Sequence, residues 1–191
     1  MRFRDEYWFL SNFYPTKTWG YPSAEHAYQA AKTDSEVEQK HFMTLATGQQ
    51  AKAYGKRVTL TPRWKNEDYR LKVMRTVVWG KFAFNEELRK QLVATGDLPL
   101  VEENWWGDTF WGTCNGKGQN WLGRILMETR AIMTCKACKQ AFLPDQYDED
   151  SFGLYCDECQ APMEPAQEAV VAGYTVQDWQ NLDPEADEQH D

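Results

Sequence analysis

Tyr21-Pro22-Ser23-Ala24-Glu25-His26-Ala27-Tyr28-Gln29-Ala30-Ala31-Lys32 is the stretch that decides how the amino-terminal part of the chain is read. Pro22 breaks the segment before it, and Ser23 belongs to the residue types whose side chain accepts a backbone N–H at a helix start. Behind it Ala24, Ala27, Tyr28 and Ala31 fall at i, i+3, i+4 and i+7, the buried stripe of a short helix. Glu25 lies about a quarter turn from that stripe and shares a flank with Gln29 and Lys32. A carboxylate in the first turn feels the positive end of the helix, which favours its ionised form. That suits a base, a nucleophile or a stabiliser of positive charge better than a proton donor. On residue types alone, a helix-dipole glutamate at the core boundary is the simpler reading.

Outward from this helix the periodicity stays mostly helical. Upstream, residues 7–13 and 17–21 are aromatic-rich and separated by Pro15, the composition of a β-hairpin or an irregular sheet edge. Downstream, a second helix is predicted over about residues 35–46, ended by the Thr47-Gly48 break. Tyr69, Val73, Met74, Val77, Val78 and Phe82 keep helical spacing. Asn85 suits the cap of another helix that stops near Gly96, and residues 99–102 read as a strand. Asn120 caps a last helix whose Leu122, Ile125, Leu126 and Met133 face the core. The fold class is α+β, compact and helix-dominated, with a few short strands.

With 191 residues, 42% hydrophobic and 14% aromatic, the chain holds one or two domains with an ordinary packed core. Its longest uncharged apolar run is a handful of residues, so no bilayer span is expected. Met1-Arg-Phe-Arg-Asp-Glu6 lacks the apolar segment of a secretory signal. A reducing, cytoplasmic compartment follows, in which cysteines are thiols or metal ligands before disulfides. The net charge of −8 is unevenly spread: residues 1–134 carry 19 basic and 15 acidic side chains, residues 135–191 only 2 basic and 14 acidic. A mildly basic body suits an anionic, phosphate-bearing substrate, whereas the acidic segment repels nucleic acid.

The composition changes at Thr134. Cys135-Lys-Ala-Cys138, 17 residues and Cys156-Asp-Glu-Cys159 have the spacing of a two-knuckle zinc ribbon, in which each C-x2-C turn offers two thiolates to one metal. Two intramolecular disulfides are the alternative. Four thiolates leave no open coordination position, so a structural Zn2+ on Cys135, Cys138, Cys156 and Cys159 is expected. Cys114 stands alone and reads as a small buried hydrophobe. Three parts result: a body over 1–133, a ribbon over 134–162 and an acidic tail over 163–191 with the composition of a disordered segment.

Two further stretches of the body carry chemistry. Asp108 lies in Trp105-Trp106-Gly107-Asp108-Thr109-Phe110-Trp111-Gly112, where four large aromatics surround one carboxyl. A carboxyl in dry surroundings tends to keep its proton, and two carboxyls with pKa values pushed apart are the usual means of glycosidic cleavage. The same rings would stack on a nucleobase, or simply fill the core. Asn115-Gly-Lys117-Gly118-Gln-Asn120 is a glycine-rich turn before a helix, either a phosphate cradle of backbone N–H groups and Lys117 or a plain loop-to-helix turn. It is neither a Walker A loop nor a dinucleotide fingerprint.

Phe9-Leu-Ser-Asn-Phe13, the segment Tyr21 to Lys32, Trp64, Asp108-Thr-Phe-Trp-Gly112 and Gly116-Lys-Gly-Gln-Asn-Trp-Leu-Gly123, in that order, resemble the NADAR family of YbiA-like N-glycosidases. The resemblance covers about residues 3–133 and leaves the ribbon outside. It implies hydrolysis of an N-glycosidic bond on a phosphorylated riboside, without a cofactor for catalysis. The substrate would be ADP-ribose attached to a guanine base, as in ADP-ribosylated nucleic acid, or a ribosylamino-pyrimidine phosphate. By motif, Glu25 and Asp108 fall on the family's catalytic carboxylates, and Trp64 on its tryptophan. Ser11, Asn12, Phe13, Lys32, Trp111, Gly112, Lys117, Gly118 and Asn120 fall on segments that line or hold the substrate. Thr33 and Thr113 depart from the family's usual phenylalanine and acidic residue and bear on substrate preference. A second reading keeps the pocket without catalysis, as a sensor of ADP-ribose with the ribbon or tail contacting a protein partner. A third, nucleic-acid binding through the ribbon, is opposed by that segment's balance of −12.

Overall fold

The structure is a computed structural model that describes residues 3–143 and Cys159. It opens with a 3-10 helix, Asp5–Leu10, followed by α1 (Ala24–Ala30), α2 (Glu36–Thr44) and α3 (Gly48–Tyr54). A second 3-10 turn, Pro62–Lys65, leads into α4 (Glu67–Ala83) and α5 (Glu86–Ala94). The strands β1 (Glu103–Asn104) and β2 (Thr113–Cys114) precede α6 (Trp121–Ile132).

Ser23 caps α1 by accepting the His26 N–H, as its residue type predicts. All seven residues of α1 are buried, including Glu25, His26 and Gln29, because α2, α3 and α4 pack around it. The 17-residue α4 is the central prop, packed against α1, α5 and α6. Asn66 starts it by accepting the N–H groups of Asp68 and Tyr69. Its Val73, Met74, Val77, Val78 and Phe82 meet Leu122, Ile125 and Leu126 of α6 in one core. The helix-dominated α+β class is the one that the periodicity predicts.

Four local expectations need correction. Residues 5–10 form a 3-10 helix rather than a strand, since Phe9 and Leu10 are buried side by side instead of alternating. The only pairing nearby among the described residues is an isolated antiparallel bridge, Thr18 with Tyr21. The helix expected to run to about 46 stops at Thr44, with Leu45 as its C-cap, and the Thr47-Gly48 break begins α3: Thr47 and Gln50 form a reciprocal capping box. The strand expected over 99–102 falls at β1 instead, in parallel register with β2 (Glu103 opposite Thr113). Asn85 and Asn120 precede helices without capping them through their side chains. Asn85 donates to the Lys17 and Lys81 carbonyls. Asn120, at φ 54, donates to Leu100 O and accepts the Glu102 N–H, bracing the segment ahead of β1.

No helix among the described residues is long and apolar enough to cross a membrane. The acidic tail expected over 163–191, the expected ligand Cys156 and most of the ribbon expected over 134–162 lie outside the described residues.

Candidate active site

The loop after the first 3-10 helix, α1, α4 and the segment running from β1 to β2 enclose a cavity of about 300 Å³. Three carboxyl groups line it: Glu25, Glu102 and Asp108. Two of them, Glu25 and Asp108, are legible as candidates in the sequence, and they do meet across one cavity.

Glu25 is held from several sides. Its backbone N–H donates to Asn12 O at 2.9 Å, which ties α1 to the Ser11–Phe13 loop. Gln29, one turn on, donates to Oε1 at 2.7 Å. The α3 start presses on it: a Cβ at Gly48 would stand 2.9 Å from the Phe13 ring and 3.3 Å from the Glu25 Cβ, so only glycine fits there. Full burial raises the Glu25 pKa, against the Gln29 hydrogen bond and the charges of Lys52 and Lys32, which lower it. The helix dipole favours the ionised form, but in a helix of seven residues desolvation outweighs it.

Asp108 is fixed differently. Its Oδ1 accepts the N–H groups of Phe110 and Trp111, at 3.1 and 2.9 Å, a turn that fixes where the Trp111 ring stands. Asn104, buried at the end of β1, accepts the Asp108 N–H and donates to the Asp108 and Thr113 carbonyls. The expectation that dry aromatics surround Asp108 is met by Trp111 but less by Trp105 and Trp106, which are 69% and 53% exposed.

Aromatic rings form the wall. Tyr28 packs against Trp64 and Trp111, with centroids 5.2 and 5.5 Å apart. The Lys32 ammonium lies 5.7 Å from the Trp64 ring, and its pKa is lowered by burial, with Glu25 opposing that shift. Lys52 stands 5.6 Å from the Phe13 ring at the rim, and Arg70 reaches in from α4. Two buried oxygens of lining residues, Asn12 Oδ1 and Gln29 Oε1, have no hydrogen-bond partner among the described residues. The Gln29 oxygen packs against Gly55 at the end of α3.

Ser11, Asn12, Phe13, Lys32, Trp64 and Trp111 therefore line the cavity with the two carboxylates. Gly112, Lys117, Gly118 and Asn120 do not. Lys117 is exposed in a tight turn bridged to Cys114. Gly112 serves the framework: a Cβ there would collide with the Glu102 carbonyl across the β1–β2 contact. Glu102, Lys52 and Arg70 also line the cavity, and no sequence motif marked them. For Gln29, its i, i+4 spacing from Glu25 was the one signal available.

Beyond α6, Cys135 is buried, and its carbonyl accepts the Lys139 N–H while its N–H donates to Gln140 O. The thiols of Cys135, Cys138 and Cys159 lie within 4.8 Å of one another. Tetrahedral thiolates on zinc, with Zn–S about 2.3 Å, stand about 3.8 Å apart, so the cluster is of the right size for such an ion.

Comparisons with known proteins place the family and the fold. Residues 2–134 match the NADAR domain. The N-glycosidase YbiA of Escherichia coli is 36% identical over 133 residues, which span 66% of this chain and 81% of that protein. A riboflavin biosynthesis protein of Vibrio vulnificus is 40% identical over 129 residues; the match takes in 64% of this chain but only 34% of that longer protein. The NMR structure of E. coli YbiA superposes with a TM-score of 0.60 at 32% identity, over 68% of this chain and 82% of that one. The chain belongs to the NADAR family.

Proposed function

We propose that this protein is an N-glycosidase that hydrolyses the C–N bond between a ribose and a base or amine on a phosphorylated riboside. The observation that carries this reading is the convergence of Glu25 and Asp108 on one aromatic-walled cavity with cationic residues at its edge. Names among the relatives, N-glycosidase and riboflavin biosynthesis protein, support it from outside.

Cleavage of such a bond passes through an oxocarbenium-like sugar, which a nearby carboxylate stabilises. Glu25, fixed by Gln29, takes that place or orients the attacking water. Asp108 shares the acid–base work through the oxygen that the Phe110 and Trp111 amides leave open. Tyr28, Trp64 and Trp111 wall the base. Phosphate contacts fall to Lys32, Lys52 and Arg70, which line the cavity, in place of the remote Lys117. Both ADP-ribosylated guanine and a ribosylamino-pyrimidine phosphate meet these requirements.

The same proposal divides the chain into the glycosidase body over 1–133, a four-cysteine zinc ribbon over 134–162 and an acidic tail over 163–191. Zinc would hold the ribbon's two knuckles together and take no part in catalysis.

Mass spectrometry of products, with both substrates offered, tests the reading. Release of free base or amine from either one is expected, and Glu25→Gln should lower the rate by about 100-fold or more with the fold intact. Tight binding of ADP-ribose without product over a long incubation would replace the enzyme by a sensor.

A further inference from the structure

Glu102 is selected by no sequence motif, yet its carboxyl shares the cavity with those of Glu25 and Asp108. Its main chain is clamped at both polar atoms: the N–H donates to Asn120 Oδ1 at 2.9 Å and the carbonyl accepts the Thr113 N–H at 2.8 Å. The close approach of Gly112 holds the same residue from the other side. Glu102 is therefore fixed in position, and its side chain differs from its two neighbours in one respect. Glu25 accepts from Gln29, and Asp108 accepts from two backbone amides. The Glu102 carboxyl accepts from no described residue and is free to hydrogen-bond what fills the cavity.

We propose that Glu102 is a third catalytic carboxyl, the general acid that protonates the leaving nitrogen. The assignment rests on the N-glycosidase reading above and deepens it. As the C1′–N bond breaks, its electron pair leaves on nitrogen, and the Glu102 carboxylic acid gives that nitrogen its proton. Water adds to C1′, and the proton that it sheds restores the acid form of Glu102 through solvent. The products are the base or amine and the free sugar hydroxyl. Glu25 is then left to stabilise the cationic sugar, and Asp108 to hold the water and the Trp111 wall.

The surroundings suit an acid that works near neutrality. Burial, with the facing carboxylates Asp108 and Glu25 acting in the same sense, raises the Glu102 pKa to about 7. Arg4 and Lys52 pull it down, and its own charge in turn opposes the lowering of the buried Lys81. Lys32 acts on the Glu25 side of the cluster. An acid must be protonated to act, so kcat should fall as pH rises through about 7.

The experiment compares wild type with Glu102→Gln on two substrates, with folding checked by thermal melting. One is the N-riboside that the wild type cleaves; the other is a ribosyl 5-phosphate with 4-nitrophenolate as leaving group, which departs without a proton. On the N-riboside, Glu102→Gln should lose about 100-fold in kcat and lose the alkaline limb of the pH profile. On the nitrophenyl substrate it should stay within about threefold of wild type. Equal losses on both substrates, or an alkaline limb that survives in Glu102→Gln, would overturn the assignment. Glu102→Asp, which keeps a carboxyl, gives the second arm if the glutamine variant does not fold. It should turn over slowly with the alkaline limb retained, and a limb lost with the carboxyl present would equally overturn the proposal. A wild type that cleaves neither riboside would instead remove the N-glycosidase reading itself.

Discussion

At the scale of single residues, Asp108 carries two jobs that its substitutions separate. Its Oδ1 organises the turn that sets Trp111, and its other oxygen is left for the cavity that the residue lines. Asn keeps an acceptor oxygen for the two amides, whereas Ala releases them. Asp108→Asn should therefore keep the stability within about 0.5 kcal/mol of wild type and still lose about 100-fold in kcat. Asp108→Ala should lose the same activity and about 1–2 kcal/mol of stability, since a local side-chain-to-backbone bond goes with it. Urea unfolding beside steady-state kinetics on the three proteins makes the check. An asparagine variant that is fully active would leave Asp108 a turn residue alone. The sequence marks Glu25 and Asp108 as candidates because each has an unusual neighbourhood within a few residues. Nothing of that kind marks Glu102, whose place beside them is created by the Asn120 brace 18 residues away and by the contact with β2.

At the scale of elements, α4 supplies both the core and the floor of the site. Its buried face is apolar except at Lys81, which is fully buried and donates to the Ser11 carbonyl at 2.8 Å. Lys81 thus holds the loop that carries Asn12 and Phe13. Burial lowers its pKa to about 7, with the Glu102 charge opposing. The folded pKa lies below the unfolded one of about 10.4, so between those values the unfolded chain binds the extra proton and stability rises with pH. The slope from this residue should approach about 1.4 kcal/mol per pH unit between about pH 7.5 and 9. Lys81→Met should abolish that slope and also weaken turnover, because Ser11 O loses its donor. Urea midpoints at about pH 7.5 and 9 decide it, and equal slopes in both proteins would place the titration elsewhere. The helical period of α4 is visible in its apolar residues, but Lys81 sits in the same repeat and reads from sequence as a solvated charge. Short elements are the least legible. Thr47 caps a seven-residue helix that the eye takes for a loop, and the two-residue strands are too brief for any alternation to show. What fixes them is tertiary, the Asn120 and Asn104 side chains bridging main-chain groups on both sides.

At the scale of the whole molecule, the catalytic body and the cysteine cluster are joined through the end of α6. Phe142 N–H donates to Met133 O, and Thr134 bridges to Ala141, so the segment that carries Cys135 and Cys138 is built on the helix that also packs α4. Cavity residues run from Ser11 to Leu122, and none belongs to the cluster. The metal and the chemistry are therefore expected to be separable. Purified protein should contain one zinc per chain, released by a thiol-reactive mercurial and counted with a colorimetric chelator. Loss of the metal should unfold the ribbon and expose its thiols, while kcat on the N-riboside stays within about twofold. Thermal melting of the metal-free protein should then show the body's transition alone, because the body keeps its α4–α6 core when the metal is lost. A loss of turnover that tracks the zinc released would place the ribbon in the catalytic cycle, and the most direct route for that coupling is α6, whose Leu122 lines the cavity at one end and whose C-cap, Met133, holds the segment of Cys135 and Cys138 at the other.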